Sequence, residues 1–258
     1  MNYKDDAAQV MKLPVKHPII TGLPDVAHPM SIVCAYENTL PWIYNNFIIP
    51  ICRADGRHDH VLDLKYVPKD FKDFIFLEHK VISRTILKKF INDPINFIVN
   101  LINHNNYIIL SIDQKFILNT DYDRPHPLFI YGYDMNRNIF NVADFTLTGT
   151  GKYSFQEASI DNVLKGFFHY SEENIKKIID CFKFNTSLQY DFDVQLLKQS
   201  FNYYINPSEF DYIDRVIPNS KRHVFGIDIY NMIIDHFSKG IYNDTRLIYW
   251  VVYKNSFL

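Results

Sequence analysis

His126 and Asp144 are the strongest catalytic candidates in this chain. They bracket the run His-Pro-Leu-Phe-Ile-Tyr-Gly-Tyr-Asp-Met-Asn-Arg-Asn-Ile-Phe-Asn-Val-Ala-Asp, two apolar, aromatic-rich segments around a polar turn. That pattern predicts a β-hairpin. With the turn centred near Met135, the two residues face each other, about 5 Å apart at Cβ. A carboxylate so placed orients an imidazole as a general base, which is the base-and-orienter part of a nucleophilic triad. Any hairpin also offers such pairs, in which case His126 simply opens an edge strand and Asp144 closes one.

Other constellations are weaker. His58 and His60 beside Asp55, Asp59 and Asp63 lack helical spacing and a distant third ligand, and read as a solvated loop rather than a metal site. Asp191-Phe-Asp193 reads as a helix start. With only 8 glycines there is no phosphate-binding loop or dinucleotide fingerprint, and Gly-x-Ser-x-Gly is absent. The sequence thus implies no cofactor and no metal.

The secondary structure expected around these groups is α+β in pattern. Prolines 14, 18, 24 and 29 predict an extended lead-in, followed by a short strand over 31–36. Asn38 or Thr39 is a suitable N-cap for a helix with Pro41 in its first turn and Trp42, Ile43, Phe47 and Ile48 on one stripe. Residues 53–73 read as an exposed loop. Helical spacing dominates 74–103, with Asp93 capping a second helix there. Strands are expected at 107–112 and 152–156, and helices at 160–169, from Ser171, at 193–205 and at 230–237. The run 246–253 is strand-like. The division expected is a core over 1–170 and a helical part over 171–258.

Composition narrows the function classes. Among 258 residues, 47% are hydrophobic and 16% aromatic, with 18 Tyr and 21 Phe, so the chain is not of the disordered class. Its 27 basic and 29 acidic residues leave a net charge of −2. That balance gives no electrostatic case for nucleic acid or an anionic membrane as partner. Cys34, Cys52 and Cys181 are odd in number and widely spaced, which fits a reducing compartment. There is no secretory signal pattern and no apolar run of spanning length, so a cytoplasmic protein is expected.

The segments His-Pro-Leu-Phe-Ile-Tyr-Gly-Tyr-Asp and Ile-Phe-Asn-Val-Ala-Asp-Phe resemble the His and Asp region of papain-like proteins of the bacteriocin-leader-peptidase type. They resemble still more the butirosin biosynthesis protein H family. The likeness lies over about 126–160, with a further stretch at 28–50. It implies a papain-like core, an antiparallel sheet packed on a helix. It also implies a Cys-His-Asp triad that moves an acyl group from a carrier-protein thioester to an amine, in peptide or antibiotic biosynthesis.

Under that resemblance the nucleophile belongs at a helix N-terminus, where the dipole stabilises a thiolate. Cys34 is the candidate, although a helix starting at 38–41 leaves it in the preceding strand. Glu37, Asn38 or Thr39 would then hold the nucleophile position. Cys52, at the far end of that helix, is poorly placed. His28, six residues before Cys34, is the candidate oxyanion donor, or else a surface histidine in a loop. The expectation is an acyltransferase acting with an acyl or peptidyl carrier protein and a small amine acceptor. The alternatives are a catalytically silent relative that binds a carrier or synthetase partner, and a hydrolytic cysteine peptidase or thioesterase.

Overall fold

The computed structural model describes residues 9–21, 23–53, 64–67, 74–121, 123–169, 178–207 and 223–238. In chain order the first elements are β1 (Val10–Lys12), α1 (Pro24–Val33), a 3-10 turn (Glu37–Thr39), α2 (Leu40–Asn46), β2 (Ile49–Arg53) and β3 (Leu64–Val67). Then come β4 (Leu77–Ser83), α3 (Arg84–Phe90), α4 (Pro94–Asn103), β5 (Asn106–Asp113), α5 (Lys115–Leu118), β6 (Pro125–Asp134) and β7 (Ile139–Asp144). The chain continues through β8 (Ser154–Ser159), α6 (Ile160–His169), β9 (Ile178–Phe184), α7 (Val194–Ile205), β10 (His223–Phe225) and α8 (Asp228–Ser238). The protein is mixed α+β. No described helix is long and apolar enough to cross a membrane.

The chain forms two compact units. The first comprises Met1–Tyr36 and Phe74–Leu188, the second Glu37–Asp73 and Gln189–Leu258. This differs from a division at 170, because β9 pairs with β4 and β5 in the first unit while 37–73 belongs with the C-terminal part.

The first unit is built on an antiparallel sheet of order β4-β9-β5-β6-β7-β8, with β1 added to β6. Residues 107–110 of β5 and Leu128–Tyr133 of β6 are buried without alternation, as strands covered on both faces must be. Phe129, Ile130, Tyr133, Phe140 and Val142 form part of that core. The β6–β7 turn uses Asn138 in the left-handed conformation (φ 53°), and Asp134 Oδ1 accepts the Arg137 amide at 3.2 Å. Asp93 caps α4 by accepting the Asn96 amide at 2.9 Å.

The expected strand over 31–36 is corrected: Ser31–Val33 are the last residues of α1. Pro24 stands at the start of that helix, where its fixed φ suits the first turn. Pro29 lies inside it and removes one helical hydrogen bond, a cost of about 3 kcal/mol. Every residue from Val26 to Val33 is buried, and side chains such as Met30 and Ile32 each return about 1.5–3 kcal/mol. Burial therefore outweighs the proline signal. The helical reading of 74–103 is corrected over 77–83, which is edge strand β4. The strand expected at 152–156 lies at Ser154–Ser159.

In the second unit, β10, β2 and β3 form a three-stranded antiparallel sheet. Cys52 lies within β2, rather than at a helix end, and packs in a small core with Ile229, Val224, Met232 and Ile233. Asn45 of α2 is buried and joins the start of α7: its Nδ2 donates to Asp193 O at 2.7 Å and its Oδ1 accepts the Asp193 amide at 2.8 Å. Asp193 also caps α7 through the Gln195 and Leu196 amides. Residues 55, 58, 59, 60 and 63, the helix expected from Ser171 and the run 246–253 lie outside the described residues.

Candidate active site

His126 enters on the second residue of β6 and Asp144 on the last of β7. Their pairing differs from direct opposition. The register runs Asp134↔Ile139, Tyr133↔Phe140 and Gly132↔Asn141, then shifts to Ile130↔Val142 and Phe129↔Ala143. Tyr131 is the extra residue of a β-bulge. Extending the shifted register sets Asp144 opposite Leu128, two residues from His126 and on the same face. Without the bulge Asp144 would oppose Phe129, whose neighbours at odd spacing, His126 among them, face the other side.

Across that diagonal, His126 Nδ1 lies 2.8 Å from Asp144 Oδ2. The imidazole is 26% exposed and the carboxylate fully buried. The carboxylate is held from several sides. Gln114 Nε2 donates to Oδ2, and the Phe145 amide donates to Oδ1 at 2.7 Å. Thr146 Oγ1 lies 2.8 Å from Oδ2 and also contacts Gln114 Oε1, so its single proton serves one of them. Burial opposes charge on both groups. Their hydrogen bond and mutual attraction outweigh it, holding His126 above its ordinary pKa and Asp144 below. Nδ1 also meets Pro127 O at 3.1 Å. Both neighbours of Nδ1 are acceptors, which places the proton there and leaves Nε2 as the proton-exchanging nitrogen.

His28 is corrected from a loop residue to a fully buried member of α1. It stacks on Phe129 with centroids 5.3 Å apart, and its Nδ1 lies 3.2 Å from the Tyr153 hydroxyl. Burial lowers its pKa to about 4; the Asp144 charge works against that shift and His126 adds to it. It is the α1 side chain coupled to the dyad, and it is neutral near pH 7. Its Nε2 is sealed from solvent and has no hydrogen-bond partner, so it does not serve as an accessible oxyanion donor.

Cys34 is corrected too. It is the C-cap of α1, not a strand residue and not at a helix N-terminus. The negative end of a helix dipole disfavours a thiolate. Burial raises the thiol pKa, and the opposing influences are the Ile19 backbone and Lys16, not His126. Glu37 and Asn38 lie in the 3-10 turn of the second unit, and Thr39 is buried there. The structure thus pairs His126 with Asp144 and sets buried His28 within electrostatic reach of both.

Gln114 and Thr146 are site residues the sequence reading missed. Thr146 carries a usable signal, two residues after Asp144, whereas Gln114 arrives from the junction of β5 and α5, where nothing in its own neighbourhood marks it. No family model matches the chain, and no curated protein matches it.

Proposed function

We propose that this protein is a papain-like acyltransferase in which His126 and Asp144 act on the acceptor without a cysteine nucleophile. An amine nitrogen attacks the carbonyl of a carrier-bound thioester, forming the C–N bond as the C–S bond breaks. His126 Nε2 takes the amine proton and passes it to the departing thiolate. Asp144 holds the tautomer and the charge that develops on the ring. The observation that carries this reading is the fully bonded shell around Asp144, built by Gln114, Thr146 and the Phe145 amide. Such a shell is what an orienting carboxylate requires. The partners implied are an acyl or peptidyl carrier protein and a small amine, in a peptide or antibiotic pathway of the cytoplasm.

The position of Cys34 favours a second reading, a catalytically silent relative that binds a carrier or synthetase domain. One assay separates them. Aminoacyl-phosphopantetheinyl carrier proteins are incubated with the chain and a panel of amines, and amide products are read by mass spectrometry. Direct transfer gives product that survives Cys34→Ala and is lost in His126→Ala. Carrier binding without product supports the silent relative. A trapped acyl-Cys34 adduct sinks the direct mechanism.

A further inference from the structure

The first unit gathers a second set of chemically competent side chains, away from the dyad. Asp113 ends β5, Asp123 lies in the loop before β6, and His169 ends α6. One donor atom from each lies within 4.8 Å of the others. His169 Nε2 stands 3.5 Å from Asp113 Oδ2 and 3.6 Å from Asp123 Oδ1. Ligands bound to tetrahedral zinc are spaced by about 3.4 Å, given bonds of about 2.0–2.1 Å. Two edges of such a polyhedron therefore already have the right length.

The backbone is shaped for this approach. A Cβ at Gly166 would collide with the Asp113 carbonyl oxygen, so α6 reaches the end of β5 only because that residue is glycine. His169 follows three residues later, on the neighbouring position of the same helical face. The two oxygens of buried Asp113 are used differently. Oδ1 accepts the amides of Lys115 and Arg124 at 3.1 and 2.9 Å. Oδ2 is sealed from solvent and accepts no hydrogen bond. The Lys115 ammonium stops 3.5 Å from it, too far for a good hydrogen bond. A buried anionic oxygen left so is costly, and this one is aimed at the other two donors.

Lys115 marks what the cluster attracts. Its Nζ lies 2.5 Å from Asp123 Oδ1 and 2.9 Å from His169 Nε2. An ammonium only donates, so His169 presents a lone pair at Nε2, the same lone pair that would ligate a metal. We propose that Asp113, Asp123 and His169 form a binding site for a divalent transition metal of the zinc class, with Lys115 as the resident cation that leaves when the metal enters. The imidazole selects for zinc-like ions over magnesium or calcium, which take oxygen donors. Three protein ligands leave one position, now held by the ammonium, for water. Lys115 also borders an open cavity of about 550 Å³ shared with Asn119, Asn162 and Lys165, which gives its head group room to swing aside. The site is distinct from the dyad: the side chain of Gln114, between Asp113 and Lys115, turns to Asp144 instead.

The test is calorimetric titration of the chelator-treated full chain with Zn²⁺, with Mg²⁺ as control and Co²⁺ absorption as a readout of tetrahedral geometry. The chain has 10 histidines, so the variants decide the location. Wild type should bind one Zn²⁺ per chain. His169→Ala and Asp123→Asn, both at exposed positions, should each weaken it about 100-fold or more with unchanged circular dichroism. Lys115→Met should tighten it about tenfold by removing the competing cation, a change of about 1.4 kcal/mol. Zinc binding indifferent to all three substitutions places the metal elsewhere and overturns the proposal. Absence of binding by both wild type and Lys115→Met overturns it as well, leaving a purely structural ion cluster.

Discussion

His126 bonds Asp144 across a two-residue diagonal of the hairpin, and the bulge at Tyr131 puts both on one face. Direct neighbours would hold the rings and carboxylates closer at Cβ. The diagonal leaves about 7–8 Å between backbones, which an imidazole and a carboxylate together span. The distance of 2.8 Å is therefore a product of the bulge as much as of the two residue types.

The dyad should be visible as a titration. His126 has its pKa raised in the folded protein, so its contribution to stability is complete below about 6.5 and is lost as pH rises through the folded value. Asp144 is depressed, so its contribution is present above its unfolded pKa and lost as pH falls through the folded one. Asp144→Asn should bring the His126 NMR titration midpoint down and cost roughly 2 kcal/mol or more, because it breaks a largely buried pair. A midpoint unchanged by the substitution would show that the pair does not exist in solution.

His28 gives the sign opposite to that of His126, and in a different window. It folds neutral, with a pKa near 4 against 6.5 unfolded, so the unfolded chain binds the extra proton between those values. Stability is full above about 6.5 and falls as pH drops toward 4, by up to roughly 3 kcal/mol. Thermal melts of wild type should therefore lose several degrees between pH 6.5 and 5. His28→Gln should remove most of that slope, whatever it does to stability at pH 7. Equal slopes in the two proteins would mean that other groups govern acid sensitivity.

Gly132 carries the strand past the bulge. A Cβ there would lie 2.6 Å from Met11 O and 2.8 Å from Asn141 Oδ1, the first of these being backbone of β1. Gly132→Ala should cost about 1–3 kcal/mol through forced displacement of β1 or of Asn141. Hydrogen exchange should show β1 opening first. A variant as stable as wild type, with unchanged exchange in β1, would contradict the packing described.

The hairpin and the α+β class were readable because β6 and β7 carry long runs of strand formers around a polar turn. The diagonal was not, since a bulge at Tyr131 leaves no mark in an apolar run. For α1 the sequence pointed the wrong way: Pro24 suits a helix start as well as an extended lead-in, Pro29 argues against helix locally, and only the burial of Val26 through Val33 outweighs Pro29. The places of Cys34 and His28 follow from that helix. The discontinuous second unit was equally hidden, because the Asn45–Asp193 bond joins residues 148 positions apart.

That bond supports a prediction for the second unit. Asn45→Ala leaves the Asp193 amide and carbonyl without the partners that join α2 to α7, and should cost roughly 1–3 kcal/mol. Asp193→Ala removes only the cap on α7 and should cost about 1 kcal/mol. Chemical denaturation of the two variants should rank them in that order; the reverse order would show that the side-chain bridge contributes less than the cap.

Cys34 offers the sharpest division between thiol chemistry and the proposed direct transfer. Its pKa is raised from 9.0 by burial, and it caps the negative end of α1. Only a small fraction of it is thiolate at pH 7. Iodoacetamide labelling of the native protein should therefore be slow at pH 6–8, with no preference for Cys34 over the other buried cysteines, Cys52 and Cys181. Unfolding in denaturant should make all three react alike. Rapid and selective alkylation of Cys34 near pH 6 would require a stabilised thiolate, against the burial that raises its pKa and its place at the negative end of α1. That result would return the cysteine to the centre of the mechanism and reduce His126 and Asp144 to its activating partners.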